Sequence, residues 1–381
     1  MYKFSAPMPY NAEFINRLCN INTGVEKSKI TTLYFALPAN CKECTGFEQS
    51  RFITKTNTDF DFWKQLIIHC FNKGFDFIYL LNSPKILNPE FDNIDEHFEK
   101  LDNLLKKLFS IGCNKIRVCN PQLIGYLNKN YPNFELYLST SSELKTINEY
   151  SNLFFMFPNI KEFVPSFDLN KNFKFIKNVK NKFKNINIEI MVNEGCIPDC
   201  PLRNSHNIFI TEYKNKTINE NFFNIDFFTQ KCNKILCENI FEYLCKCNII
   251  YPWEIEEYSK IGINNFKFVG RNNDKFATGE YLEYYSAYLK GIDNINNIQE
   301  FPIRYFNNYI CTNEMINLCV YEVKKYLPDI NYFKKCGHLC SSRCGIECKY
   351  CYKFAEKIQK VFEKKQKKLQ KRNIPFCVIN K

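Results

Sequence analysis

INIEIMVNEGCIPDCPLRNSH, Ile186 to His206, joins an apolar run to a polar loop, and that junction decides the reading of the whole chain. Ile186 to Val192 reads as a buried strand, because its β-branched and apolar residues form a short run bounded by polar ones. Directly beyond it Asn193, Glu194, Cys196, Cys200, Arg203 and His206 crowd one loop. Outward from this point, short apolar runs recur with amphipathic stretches between them. They are 30 to 37, 75 to 82, 114 to 120, 134 to 140, 160 to 166, 186 to 192, a weak one at 247 to 251, and 264 to 270. Stretches such as DFWKQLIIHCFNKG, IDEHFEKLDNLLKKLFSIG, SSELKTINEYSNL, NFKFIKNVKNKF and PWEIEEYSKIG separate them, with apolar residues at helical spacing and several closed by glycine. Strands alternating with helices predict a parallel sheet wrapped by helices, and eight strands predict an α/β fold of the (β/α)8 TIM-like barrel type.

In such a barrel the chemistry lies at the carboxyl ends of the strands. Cys41 and Cys44, Asn120, Ser139 and Thr140, the Asn193–Cys196 loop, and Gly270 with Arg271 are then expected to ring one mouth. Residues 1–291 are read as the barrel, with a Cys-bearing insertion at about 204–247 after the sixth predicted strand. Residues 292–381 are read as a Cys-rich C-terminal appendage closed by a basic helix.

The chain has 381 residues, of which 45% are hydrophobic, enough for a sizeable core. Its 20 cysteines suggest disulfides only in an oxidising compartment. The opening MYKFSAPMPYNAEFINRL has prolines at 7 and 9 and no apolar run of signal-peptide length, and no segment reaches the roughly 18 apolar residues that span a bilayer. The expectation is a cytoplasmic protein without membrane contact, whose clustered thiols bind metal. Much of the net charge of +12 sits in Lys357 to Arg372, read as a solvated helix face, with contact to RNA or an acidic partner as the alternative.

Soft thiolates favour zinc, copper(I) or iron–sulfur clusters. Cys196 and Cys200, joined across the insertion by Cys232 and Cys237, can supply four thiolates to a 4Fe-4S cluster. Cys41 and Cys44 can replace one or both of the second pair, so the full ligand set stays open. A second cluster of thiols, Cys336 to Cys351, also holds His338; Cys340, Cys344, Cys348 and Cys351 are the expected ligands of structural zinc or a second iron–sulfur cluster. Cys348 and Cys351 open directly onto a helix whose positive end favours thiolates. Cys19, Cys70, Cys113, Cys119, Cys311, Cys319 and Cys377 read as packing residues, and His69 and His97 as structural. Glu194 is the nearest candidate acid or base, while Arg203, Lys267 and Arg271 suit a carboxylate or phosphate. For Lys267 the alternative is a barrel-interior lysine paired with a carboxylate.

NEGCIPDCPLRNSH together with YPWEIEEYSKIGINNFKFVGR resembles the peptidase family U32, the collagenase-like proteins, with Pro252, Gly262, Phe266, Lys267, Gly270 and Arg271 falling on the family's second motif. The resemblance covers most of residues 30–351 and rests on those two motifs. It implies a 4Fe-4S cluster on four cysteines, with Cys196 and Cys200 at the family's ligand positions and Cys232 and Cys237 in the insertion that supplies the others. It further implies an oxygen-independent hydroxylase acting on RNA or a small aromatic or quinone-type metabolite, with prephenate as oxygen donor and an electron-donor protein as partner. Catalytic Glu194, Lys267 and Arg271 and substrate-binding Asn193, Arg203 and His206 complete that expectation. The cysteine spacing here is narrower than in the hydroxylating branches. The alternatives are a peptidase, as the family name says, or a non-catalytic iron–sulfur or zinc module; no HExxH motif and no triad context around His206 favours the peptidase.

Overall fold

In the computed structural model eight parallel strands close into a barrel, in the order β1 to β8. They are β1 Tyr2–Pro7, β2 Ser28–Phe35, β3 Asp76–Leu81, β4 Lys115–Val118, β5 Glu135–Leu138, β6 Ile160–Phe163, β7 Asn187–Met191 and β8 Asn265–Lys267. The structure describes residues 1–8, 10–38, 41–48, 59–85, 87, 90, 92–215, 232, 245, 248–270, 279–294, 327–332 and 348–370. Helices α1 Ala12–Thr23, α2 Phe60–Asn72, α3 Ile94–Ser110, α4 Pro121–Asn130, α5 Ile147–Met156 and α6 Phe173–Lys182 follow the first six strands. Then come α7 Arg203–Asn215, α8 Ile255–Ser259, α9 Glu280–Asp293 and α10 Tyr350–Gln370.

The barrel is the expected one, but its strands are counted from a different place. Tyr2–Pro7 is the first strand, pairing with β2 on one side and with β8 on the other. Pro7 closes the strand, and the following Met8 amide still donates to the Tyr34 carbonyl of β2 at 2.9 Å. The weak candidate at 247–251 is not a barrel strand over its described residues. Ile249 and Ile250 are fully buried, and the Ile250 amide donates to the Val192 carbonyl at 2.9 Å, so this segment lies against the residue that follows β7. Burial made it apolar without placing it in the sheet. The insertion therefore follows the seventh strand.

Local sequence explains why the helices begin where they do. Each of the first six starts at Asn11, Asp59, Asn93, Asn120, Thr146 or Asn172, whose side chain accepts from an amide of the first turn. Thr146 adds a full capping box with Glu149. The predicted helix over SSELKTINEYSNL is shorter than its pattern: Thr140–Ser142 forms a 3-10 turn, Glu143 adopts a left-handed backbone, and only Ile147 onward is α-helical.

Alternate strand residues face outward to the helices and inward to the lumen. The outer layer is strongly aromatic beside β1 and β8. Phe4 stacks on Phe266 and Phe268, and Phe268 stacks on Tyr285 of α9. Tyr281, Tyr284, Tyr285 and Tyr288 of α9 are all buried there. The appendage joins the same core, since Leu327, Ile330, Cys351, Ala355 and Ile358 pack continuously with the barrel's helix layer. Among the described residues no helix is long and apolar enough to cross a membrane.

The lumen departs from the apolar filling usual for this architecture. Even-numbered strands contribute Tyr34, Arg117, Glu162 and Lys267, all buried. Arg117 donates to Glu162 at 2.9 Å and to Glu189 of β7 at 2.6 Å. The Lys267 ammonium lies 3.3 Å from the centre of the Tyr34 ring. Two cationic and two carboxyl side chains thus share the inside of the barrel, and an apolar cluster of Tyr34, Ala36, Ile78, Leu80 and Tyr137 fills the remaining wall.

Candidate functional site at the mouth of the barrel

β7 ends at Met191, and the loop after it is tied to β8 by one side chain. Asn193 donates to the Val269 carbonyl at 3.0 Å and accepts from the Val269 amide at 2.7 Å, so both ends of its carboxamide serve the framework. Asn170 donates to the Met191 carbonyl from the neighbouring loop. Met191, Val164 and Phe167 form an apolar floor, and Cys196 and Val269 pack against it.

Cys196, packed on this floor, meets two further thiols. Cys200 hydrogen-bonds with Cys196 and with Cys232, which arrives from the far part of the insertion. The bond with Cys200 and burial push the Cys196 thiol up, whereas the bonds from Cys196 and then Cys232 hold Cys200 well below an ordinary thiol. The Leu202 amide, just ahead of α7, adds to the stabilisation of Cys200. Glu194 is half-buried beside them, and its charge contributes to the rise at Cys196.

Arg203, the first residue of α7, governs the loop. Its Nε donates to the Cys196 sulfur at 3.3 Å, Nη1 and Nη2 donate to the two Asp168 oxygens at 2.7 and 2.8 Å, and Nη2 also donates to the Ile197 carbonyl at 2.9 Å. Nη1 makes a longer contact of 3.5 Å with Glu143. A guanidinium has five N–H donors, and here each has an acceptor within the protein. Burial opposes the Asp168 charge, yet the bonds from Arg203 carry its carboxyl below the usual carboxylate range. Burial raises Glu143 instead, outweighing the Arg203 charge. Asp168 and Glu143 lie on the loops after β6 and β5 and carry no local motif; the Ser166–Asp168 stretch after a strand is the only sequence signal for either.

The other expected residues fall in three places. His206 stands half-buried on the first turn of α7. Lys267 is in the lumen with the Glu162–Arg117–Glu189 set, where burial raises the Glu162 carboxyl against the Arg117 and Lys267 charges, and those charges lower Glu189. Arg271, Cys237, Cys340 and Cys344 lie outside the described residues, as do Cys336 and His338.

Cys41 and Cys44 occupy the loop after β2, each beside a carboxylate. Cys41 donates to Glu43 and Cys44 to Glu48, both at 3.4 Å. Glu48 is fully buried and accepts from Tyr79 at 2.8 Å and from Thr45. Burial pushes the Cys41 thiol up to about 12 and the Cys44 thiol well up. In the appendage Cys348 lies 3.3 Å from the Tyr332 hydroxyl, and that bond together with the Tyr350 amide at the start of α10 lowers its thiol. Cys351 is buried against the core.

Among the described residues no three His, Cys, Asp or Glu side chains already stand at metal-binding spacing. Cys196, Cys200 and Cys232 are spaced as thiols sharing hydrogen bonds. Three sulfurs as a donor set suit a soft metal or an iron–sulfur cluster.

The chain is thus a parallel eight-stranded barrel that gathers thiols at the carboxyl ends of its strands. No family model matches the chain. An uncharacterized protease of Methanocaldococcus jannaschii is 22% identical over 260 residues, which span 68% of this chain and 70% of the relative. The relative is named a protease, and the chain's two motifs resemble the U32 peptidase family. Among solved structures, a U32 peptidase aligns with a TM-score of 0.45 at 11% identity, covering 71% of this chain and 94% of that one. N-acetylneuraminate lyase from Fusobacterium nucleatum aligns with a TM-score of 0.38 at 11% identity, covering 95% and 98%.

Proposed function

We propose that this chain is a U32-type enzyme that carries a 4Fe-4S cluster at the barrel mouth, held by Cys196, Cys200, Cys232 and Cys237, and that it works as an oxygen-independent hydroxylase on RNA or a small aromatic metabolite. The observation that carries the reading is the meeting of Cys196 and Cys200, from the loop after β7, with Cys232 from within the insertion, beside an apolar floor that Cys196 packs on. When bound, the cluster supplies the redox couple that side chains lack. The residues of the chain supply the rest. Met191, Val164 and Phe167 keep water from beneath the sulfurs, and Arg203 orients Cys196. Glu194 is placed to take or give a proton beside the thiols. Lys267 and Arg117 sit in the lumen below, where they bias the mouth towards anions. An electron-donor protein completes the cycle, and the second thiol group, Cys340, Cys344, Cys348 and Cys351, takes structural zinc or a further cluster.

The name of the archaeal relative favours a second reading, a peptidase. One experiment separates the two. The chain is purified without oxygen and analysed for iron, sulfide and zinc with visible and paramagnetic resonance spectra, in the wild type and in Cys196→Ala and Cys348→Ala. Iron and sulfide that disappear in Cys196→Ala support the cluster reading. A colourless wild type that cleaves a denatured-collagen or casein substrate returns the peptidase to first place.

A further inference from the structure

We propose that Asp168 and Arg203 form a positioning pair for Cys196, fixing the stance of its sulfur and thereby setting the electron affinity of the cluster; this rests on the cluster reading above. Three elements meet at the pair: Asp168 on the 3-10 turn Phe167–Leu169 after β6, Cys196 on the loop after β7, and Arg203 at the start of α7. The flat fork of the guanidinium matches the two carboxylate oxygens at 2.7 and 2.8 Å, which orients its third nitrogen at Cys196, 3.3 Å away. A lysine can replace the charge but not that geometry.

Asp168 also holds the loop from its other side. Its Oδ1 accepts from the Asp199 amide at 2.9 Å, and Asp199 is one of two non-glycine residues with a positive φ, at 51°, among the described residues. A backbone in that region persists where its surroundings over-determine it. Phe167 backs the guanidinium from below, with its ring centre 5.4 Å from the Arg203 carbon. The rim of the pair is charged as well, with Lys145 bonded to Asp168 at 3.1 Å and Glu143 nearby. A hydrogen bond donated to a cysteinyl sulfur withdraws electron density from the metal centre, and partners of this kind tune potential and ligand affinity.

The test uses the full chain purified without oxygen as wild type, Arg203→Lys, Asp168→Asn and the double variant, each checked for fold by circular dichroism. Iron and sulfide content and a redox titration followed by paramagnetic resonance are read together. Arg203→Lys keeps the charge, so its midpoint potential is expected to move negative through loss of the N–H to sulfur bond. The double variant is expected to match Arg203→Lys alone, because Asp168 acts through Arg203. Retained cluster with unmoved potential and spectrum, or independent additive shifts, overturns the proposal. A wild type free of iron and sulfide refutes the cluster reading instead. The pair is then judged in the metal-free chain by hydrogen–deuterium exchange over 193–203, expected to quicken at least tenfold in Asp168→Asn; unchanged exchange overturns the pair itself. That second measurement also decides the matter if Arg203→Lys does not fold.

Discussion

Gly270 and Gly74 both have left-handed backbones, with φ of 118° and 80°, yet replacing them has different costs. A Cβ at Gly270 lands 2.7 Å from the Tyr281 hydroxyl, whereas nothing lies within 4 Å of a Cβ at Gly74. Gly74→Ala is expected to cost about 1 kcal/mol, the strain of the backbone alone, and Gly270→Ala about 2 to 4 kcal/mol, read as shifts in the urea midpoint. Equal costs would mean that Tyr281 swings aside freely. In the lumen, burial first and the Glu189 charge second push Glu162 up to about 8. The sign follows directly: between the ordinary carboxyl value and about 8 the folded chain holds a proton that the unfolded chain has released, so stability falls as pH rises across that window. Glu189 is shifted the other way by Arg117, so its contribution is present above the ordinary carboxyl range and is lost as pH falls below it. Thermal melts at pH 5.5 and 8 are expected to show a loss in wild type that Glu162→Gln flattens. A slope that survives Glu162→Gln would assign it elsewhere.

Asn193 shows how a residue chosen for chemistry serves an element. Its carboxamide spans β7 and β8 through two bonds to Val269. Asn193→Ala is expected to cost about 1 to 3 kcal/mol in chemical denaturation, because it leaves buried backbone groups without partners. At this scale much was legible in advance. Hydrophobic period gave helices such as α2, α3 and α6 and seven of the eight strands, but not α1, and most of α7 was read as insertion. The eighth was hidden in Tyr2–Pro7, a short run that resembles the start of any chain, and a buried apolar segment at 247–251 took its place in the count. Hydrophobic patterning reports burial, and sheet membership depends on pairing partners far away in sequence. The same limit applies at the mouth. Thiols announce themselves by type and spacing, so Cys196, Cys200 and Cys232 could be read together. Asp168 and Glu143 could not, since a carboxylate on a loop becomes informative only when the fold brings an arginine to it.

For the molecule as a whole, the appendage shares the barrel's core. Ile358 of α10 is fully buried in the same continuous core as Ile190 of β7. Ile358→Ala and Ile190→Ala are each expected to cost about 2 to 4 kcal/mol and to shift one common unfolding transition. A separate early transition moved by Ile358→Ala alone would mark the appendage as an independent unit. The basic stripe of α10, Lys353, Lys357, Lys360 and Lys364, recurs at helical spacing on exposed positions opposite Cys351, Ala355 and Ile358.

The pairing of β1 with β8 sets an order of events during synthesis. Lys3, Phe4 and Ser5 find their second neighbours only at Asn265, Phe266 and Lys267. Until that late segment leaves the ribosome, the nascent sheet stands open with bare hydrogen-bonding groups along β1, the kind of edge that recruits strands from other chains. Slow codons or a stall before residue 265 would lengthen that exposure, so the yield of native protein hangs on how promptly one three-residue strand is delivered.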